Sequence, residues 1–461
     1  MQIMFLGANG TVTGSKHVLV DGDTRVMVDC GLFQGYKQLR LRNRADLPIY
    51  PSTVDSVVLT HAHIDHSGYL PLFVRNGFAG PVYCSESTRD LCRILLPDAA
   101  KLQEEEARYA NRCGYSKHHP AEPLYTTEDA ERALDRLQAI RFGEWLELTG
   151  ELRVKLVPAG HILGAGHAVF ERSNDASNDG RTTTVVFSGD VGRINDPLMN
   201  APSAIEAADY LVVESTYGIR RHPKTDPMDE LGDIVRDTVK RGGTVLIPAF
   251  AVGRAQSVLW FLSQLKATGA IPDVPVFLDS PMAVNATELF VRSEGQHRLT
   301  ADEASSMCGV ARYINSVEDS KRLTADDRPK VIISASGMAT GGRVLHHLHS
   351  LAPNPANSIV FVGYQAGGTR GADFVSGTSE LKIHGELVPV RAEVRSVSNL
   401  SAHADTDELM AWLRGFQGKP KRVFITHGEP EQAEGLRKRI ERELGWTAIV
   451  PEYRDVETLT S

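Results

Sequence analysis

Residues 54–68, VDSVVLTHAHIDHSG, decide the reading of this chain. A short apolar run, Val57 to Leu59, leads straight into His61, His63, Asp65 and His66. No ordinary core needs three imidazoles and a carboxylate within six residues. A metal does. Two histidines one residue apart project to the same side of extended chain. Asp65 and His66 stand where a tight turn begins and can face a second ion. Imidazole suits zinc, and a carboxylate allows bridging. The bland alternative, a solvated polar loop, is disfavoured because the ligands directly follow a buried-looking strand.

Three more candidate ligands follow strand-like runs. His161 lies in PAGHILGAGHA after Leu152–Val157, Asp190 in FSGD after Thr184–Ser188, and His427 in FITHGE after Val423–Thr426. Groups at the ends of several strands converge on one rim of a sheet, where α/β folds place their chemistry. Asp190 is the best bridging candidate, since a carboxylate offers two oxygens. His167, six residues after His161, ranks second for that ligand role. His118 and His119 sit in a polar stretch and read as exposed; His346 and His349 read as a polar helix face.

The chain has 461 residues, enough for two domains. Its 42% hydrophobic content and 40 glycines fit an α/β protein with many strand–helix turns. A formal charge of −8 excludes coating nucleic acid by bulk charge, though not an enzyme with one positive cleft. Five scattered cysteines without a CxxC pair argue for a reducing cytoplasm rather than a disulfide framework. Residues 1–10 lack the features of a signal peptide, and no run reaches the roughly 20 apolar residues of a membrane helix.

Short strands are expected at 3–6, 17–20, 25–29, 82–84, 152–157 and 184–188, with helices at 87–111 and 127–139 and a hairpin tip at 173–180. From about 210, strand and helix alternate, which implies crossovers and a largely parallel sheet. After 380 short strands resume, followed by a helix capped by Asp405, a strand at 423–426 and a helix at 430–444.

HAHIDH, the glycine-flanked His161, SGD and THGE together resemble the metal motifs of the metallo-β-lactamase fold, and Asp29 in VMVDCG resembles its buried, loop-orienting aspartate. With VVESTYG and SAHAD, the whole chain resembles the β-CASP group. That group includes the endonuclease subunit of the eukaryotic cleavage and polyadenylation factor, its bacterial and archaeal relatives, RNase J and the DNA cross-link repair nucleases. The resemblance implies an αββα sandwich of residues 1–209 and 392–461 with an inserted β-CASP α/β domain of mainly parallel sheet, 210–391, capping the metal site and forming a cleft. It implies two Zn2+ ions, one on His61, His63 and His161, the other on Asp65, His66 and His427, bridged by Asp190. Glu214 and His403 match two further family motifs. A histidine at the third motif, His427, favours RNA over DNA within the family.

The function so implied is a ribonuclease that cleaves single-stranded RNA with a hydroxide activated by two metals, leaving a 5′-phosphate and a 3′-hydroxyl. Asp65 belongs to the catalytic centre, His403 is the candidate general acid, and Glu214 fixes its tautomer. Two glycine-rich stretches are candidate RNA-backbone contacts: SASGMATGGR, through Ser336, Gly337, Gly341 and Gly342, and GYQAGGTRG, through Gln365, Thr369 and Arg370. After Gly-Thr the family more often has leucine and then Gly-Arg; here Arg370, Gly371 and Ala372 follow. Phe33, Tyr36 and the basic residues Lys37, Arg40, Arg42 and Arg44 are candidates for bordering RNA, with a solvated charged face as the preferred reading. The alternatives are a metallo-hydrolase of a small phosphodiester or thioester, and an inactive RNA-binding relative. No separate RNA-binding module is visible, and a homo-oligomer is compatible with the sequence without being indicated by it.

Overall fold

The computed structural model describes residues 1–460 apart from 115, 117 and 174–181, so the expected hairpin tip lies outside the described residues except for Ser173. The chain forms two units. Residues 1–34, 38–221 and 403–461 make the first; 35–37 and 222–402 make the second.

The first unit holds two seven-stranded sheets. One runs in the order Val456–Thr458, Gln2–Phe5, His17–Asp21, Thr24–Val28, Ser56–Val58, Val82–Ser85, Leu137–Ile140. The other runs Ala448–Ile449, Arg422–Thr426, Tyr210–Glu214, Thr182–Phe187, Gly166–Ser173, Leu152–Pro158, Leu146–Glu147. Their facing residues share one core. Phe5, Leu19, Val28 and Val58 of the first sheet meet Leu156, Phe170, Phe187 and Phe424 of the second. Strand Leu152–Pro158 explains how the sequence achieves this: Leu152, Val154 and Leu156 point inward, while Arg153 and Lys155 alternate outward. The outer face of the second sheet, including Leu211, Val213, Val423 and Ile425, packs on Leu409, Leu413, Leu436 and Ile440 of helices Thr406–Arg414 and Pro430–Leu444. Helix Glu86–Cys113 packs beside strand Leu137–Ile140 of the first sheet.

The second unit contains a wholly parallel six-stranded sheet, ordered Ala311–Tyr313, Val276–Leu278, Lys330–Ser334, Thr244–Pro248, Ser358–Val362, Glu393–Val397. Its central strands are apolar on both faces, as a parallel sheet covered by crossover helices requires. A small hairpin, Glu380–Ile383 with Glu386–Pro389, shares a core with it through Leu381, Ile383 and Val388.

Several expectations need correction. Strand Tyr210–Glu214 pairs with Thr182–Phe187 and Arg422–Thr426, so it is central to the sandwich rather than the start of the insert. Glu393–Val397 pairs with Ser358–Val362 and belongs to the insert. The boundaries expected at 209/210 and 391/392 therefore fall at 221/222 and 402/403. Alternation marks where crossovers begin but not which sheet a strand joins. The helix expected over 127–139 stops at Leu134, and Leu137–Ile140 instead pairs with Val82–Ser85. His167 lies on strand Gly166–Ser173, which pairs with Thr182–Phe187. Helices Ala301–Gly309 and Val317–Ala325 went unpredicted because their faces are short and largely polar.

Phe424 is fully buried between the two sheets. Phe424→Ala is expected to destabilise the protein by about 3–5 kcal/mol, read by chemical denaturation. A change below about 1 kcal/mol would show that the ring is not packed as described.

Candidate metal centre

Four parallel strands carry the chemistry to one edge of the second sheet. Leu152–Pro158 leads to His161, Thr182–Phe187 to Asp190, and Arg422–Thr426 to His427, while Tyr210–Glu214 ends on Glu214 itself. From the facing sheet, strand Ser56–Val58 leads to His61, and a short helix, Ile64–Ser67, carries Asp65 and His66.

The expected donors gather into two adjoining groups: His61, His63, His161 and Asp190; and Asp65, His66 and His427. In the first, His61 Nε2 lies 3.2 Å and His161 Nε2 3.3 Å from His63 Nδ1. Asp190 Oδ2 lies 3.4 Å from His61 Nε2 and 3.5 Å from His161 Nε2. In the second, His66 Nε2 is 3.0 Å from His427 Nε2, and His427 Nε2 is 3.6 Å from Asp65 Oδ2. Asp190 turns its other oxygen, Oδ1, to within 3.3 Å of His66 Nε2. A tetrahedral ion with nitrogen ligands at about 2.0–2.1 Å spaces its ligand atoms about 3.3–3.4 Å apart, so these donor sets fit zinc. Asp190 is almost completely buried, and its Oδ1 accepts no hydrogen bond. A buried carboxylate oxygen that only imidazole nitrogens approach is a place for a cation.

A second ring of contacts fixes the imidazoles. Asp29, itself at a positive φ of 60°, accepts hydrogen bonds at Oδ1 from Thr60 N (2.8 Å) and Thr60 Oγ1 (2.9 Å). Its Oδ2 accepts from His66 Nδ1 (2.7 Å) and Ser15 Oγ (3.1 Å). Thr60 Oγ1 is thus engaged as a donor, so His61 Nδ1, 3.1 Å away, donates to it and leaves Nε2 for a metal. Thr216 Oγ1 stands in the same relation to His427 Nδ1, at 3.2 Å. Gly31 lets the Asp29 loop touch the metal loop: a Cβ there would stand 1.6 Å from the Asp65 carbonyl oxygen.

Beside the donors, His403 Nδ1 lies 3.2 Å from both Glu214 oxygens and 4.0 Å from Asp190. Glu214 is in turn held by the backbone N–H groups of Val191 (2.7 Å) and Thr216 (3.2 Å). The charge balance separates the histidines. Burial, reinforced by neighbouring imidazoles, lowers His61 and His161 and takes His63 down to about 3, which favours the neutral rings that a metal needs. Burial also pulls on His403, but the Glu214 and Asp190 carboxylates outweigh it and raise its pKa above the ordinary histidine value. Asp190 is pushed up by burial and held well below the carboxylate range by His427, His66 and His61.

His167 stands apart from both groups. Its Nδ1 donates to the Ser188 carbonyl (2.6 Å), its ring packs on Trp412, and burial holds it neutral with a pKa of about 4. It braces the loop that carries Asp190. Phe33 is buried, so it is no platform for a base, whereas Tyr36 is exposed. His118 and His119 are exposed as expected.

Within the second unit, the two glycine-rich stretches lie together. Gln365 Nε2 donates to the Gly337 carbonyl (3.2 Å), and Gly371 N donates to the Met338 carbonyl (3.0 Å). Gly342 caps helix Arg343–Leu351. Ser336 Oγ accepts from Thr340 N, while Gly341 has open space beside it. Thr369 is a buried cap whose Oγ1 accepts from Ala372 N, and Arg370 donates to the Lys382 and Ala339 carbonyls. Sequence reasoning missed Ser15, Thr60 and Thr216, whose only signal is a hydroxyl beside a motif. It also missed the buried Asp279–His347 pair (2.7 Å), which Arg343 completes.

Models of known families cover most of the chain. The metallo-β-lactamase superfamily matches residues 11–247, the β-CASP domain 255–374, and a domain described as a Zn-dependent metallo-hydrolase RNA specificity domain 387–451. The chain belongs to the β-CASP group of the metallo-β-lactamase superfamily. It is a metal-dependent hydrolase. It is 39% identical to ribonuclease TTHA0252 of Thermus thermophilus over 446 residues, 95% of each chain. It is 32% identical to transcription termination factor FttA of Pyrococcus abyssi over 419 residues, covering 87% of this chain and 61% of FttA. A solved structure of a protein of unknown function from Enterococcus faecalis shares the fold across 99% of both chains, with a TM-score of 0.52 at 15% identity.

For this β-CASP chain, Asp29→Asn tests the bracing of the centre. Removing the charge behind His66 is expected to weaken zinc binding about 10–100-fold, measured by competition with a chelating dye, while the fold is kept. Unchanged affinity would remove Asp29 from the support of the centre.

Proposed function

We propose that this chain is a zinc-dependent ribonuclease that hydrolyses single-stranded RNA, leaving 5′-phosphate and 3′-hydroxyl ends, and that it works in the cytoplasm. The observation that carries the reading is Asp190, whose two oxygens face two separate imidazole groups. The domain-wide likeness to a protein named as a ribonuclease supports it. His61, His63 and His161 would hold one zinc, Asp65, His66 and His427 the other, and Asp190 would touch both. When bound, the two ions acidify water to a pKa near neutrality and neutralise charge on the scissile phosphate.

The protein's own residues supply the remaining steps. Glu214 holds His403 Nδ1, so the proton on Nε2 is the one available to the departing 3′-oxygen. The raised pKa favours retention of that proton. Along the second unit, the amides of Gly337, Gly341 and Gly342, with Ser336 and Gln365, would line the RNA backbone. Thr369 and Arg370 contribute by shaping that loop, since both are already bonded to it.

Labelled single-stranded RNA, DNA and a chromogenic lactam offered to the zinc-loaded protein test the reading: RNA alone should be cut. Intact RNA beside stoichiometric zinc would overturn it. His403→Ala is expected to keep its zinc and lose about 10²–10⁴-fold in cleavage rate; if zinc is lost as well, His403 is a ligand. Asp190→Ala should lose tight binding of both ions.

The pH profile carries a further expectation. A general acid must be protonated, so kcat falls as pH rises through the His403 pKa. Glu214→Gln removes the leading charge that raises this pKa and should move the alkaline limb to lower pH. An unmoved limb would assign it to another group.

A further inference from the structure

Lys16 is an ammonium in the interior of the first unit, 1% exposed. Its Nζ donates to the carbonyls of Gly14 (3.3 Å) and Gly31. It also stands over two ring faces, 4.5 Å from the centre of Phe33 and 4.8 Å from that of Tyr69. Among the described residues no carboxylate pairs with it; burial brings its pKa down to about 8, against a small opposing effect of Cys30. A buried cation with only carbonyls and rings for partners is an expensive way to fill space, and a leucine or methionine would serve packing better.

The elements it joins explain its presence. Gly14 and Ser15 belong to the turn that grips the metal loop: Ser15 N donates to the Asp65 carbonyl (2.8 Å), and Ser15 Oγ donates to Asp29. Gly31 is the residue whose missing side chain admits that same Asp65 carbonyl. Cys30 N donates to the His66 carbonyl (2.7 Å), and Tyr69 N donates to the Cys30 carbonyl (2.8 Å). Phe33 closes the pocket by lying over Gly14, where a Cβ would meet its ring at 2.5 Å. Lys16 therefore ties three segments, 14–15, 30–33 and 65–69, at one point behind Asp65 and His66.

We propose that Lys16 is a positioning residue for the donor group formed by Asp65, His66 and His427, holding the Asp65–His66 turn in register through the Gly14 and Gly31 carbonyls. The inference rests on the metal assignment proposed above. It is asymmetric: the Gly14 and Gly31 carbonyls and the Phe33 and Tyr69 rings that Lys16 meets stand behind the Asp65–His66 turn, whereas His161 arrives from another strand end and His61 and His63 precede the turn in the same loop. The two ions should accordingly respond differently.

The test is Lys16→Met in the full chain, with Leu19→Ala as a control that disturbs the same sandwich core away from the turn. Zinc is removed and returned against a competing chelator, and cobalt(II) replaces it for visible spectroscopy. Lys16→Met is expected to bind one of the two ions at least tenfold more weakly and leave the other within about twofold, in keeping with the cost of losing a ligand-orienting contact. The cobalt spectrum should lose or shift the bands of one site. Leu19→Ala should lower the thermal midpoint with both affinities unchanged. Should Lys16→Met fail to fold, Phe33→Leu, which strips one ring from the ammonium, should weaken the same ion to a smaller extent.

Wild-type affinities and spectra at both sites in Lys16→Met, or in Phe33→Leu where the first variant does not fold, would overturn the proposal. So would equal weakening of both ions, which is the mark of general loosening. A wild-type protein that takes up no zinc would overturn the metal assignment itself, and this inference with it.

Discussion

Asp190 sets the terms for the rest of the first unit. It is a carboxylate buried in the interior, faced by imidazole nitrogens on both oxygens. An uncompensated buried ion costs several kcal/mol, and burial works against a compensating charge on His61 and His161, two of the rings that face it. A cation can supply that charge. The fold supplies the means to gather the donors, because Leu152–Pro158, Thr182–Phe187, Tyr210–Glu214 and Arg422–Thr426 run in one direction and release their loops at one edge. Bringing so many polar groups together weakens a core, and two seven-stranded sheets with helices outside them provide the burial that tolerates it.

The backbone carries strain at the same edge. Ala8, Asp29 and His427 all adopt positive φ without being glycine, at 56°, 60° and 49°. Two of them are coupled, since His427 N donates to the Ala8 carbonyl at 2.7 Å. Such conformations persist only where surrounding contacts over-determine them. For Asp29 those contacts are Thr60, Ser15 and His66, which are also what holds His66 in line. Strain and ligand orientation thus have one cause, and rigidity at the donors comes from the loops being pinned rather than from the loops being short.

The sequence made the candidate ligands legible because each follows a strand, and a strand has an apolar signature. His61, His161, Asp190 and His427 could be read that way. The supporting residues could not. Thr60, Thr216 and Ser15 are hydroxyls whose partners lie far away in the chain, and Lys16 reads as a surface lysine until its burial is known. His167 was ambiguous for the opposite reason: the motif looked right, but a strand at Gly166–Ser173 turns its ring toward Ser188 and Trp412. The unit boundaries were misjudged because strand–helix alternation is local information, while membership of a sheet depends on pairing. Tyr210–Glu214 begins the alternating stretch and still belongs with Arg422–Thr426, over two hundred residues later.

In the proposed roles, the difference between a ligand and an acid among these histidines follows from what holds the second nitrogen. A hydroxyl, as for His61, adds no charge to a ring that burial already keeps neutral, and leaves its other nitrogen available to a metal. Glu214 instead places a full charge on His403 Nδ1, which favours the imidazolium and so a proton on Nε2. His66 is the informative intermediate. Asp29 and Asp190 raise its pKa from both sides despite burial, so by charge alone it would be an acid. Its Nε2, however, faces His427 Nε2 at 3.0 Å and Asp190, in a donor set that a zinc ion fits. There a cation competes with the proton for Nε2, and Asp29 then strengthens the metal bond instead of the acid. His403 has the same kind of carboxylate partner but stands outside the two donor groups, which is why one aspartate-backed or glutamate-backed histidine in this site is suited to hold metal and the other to move a proton.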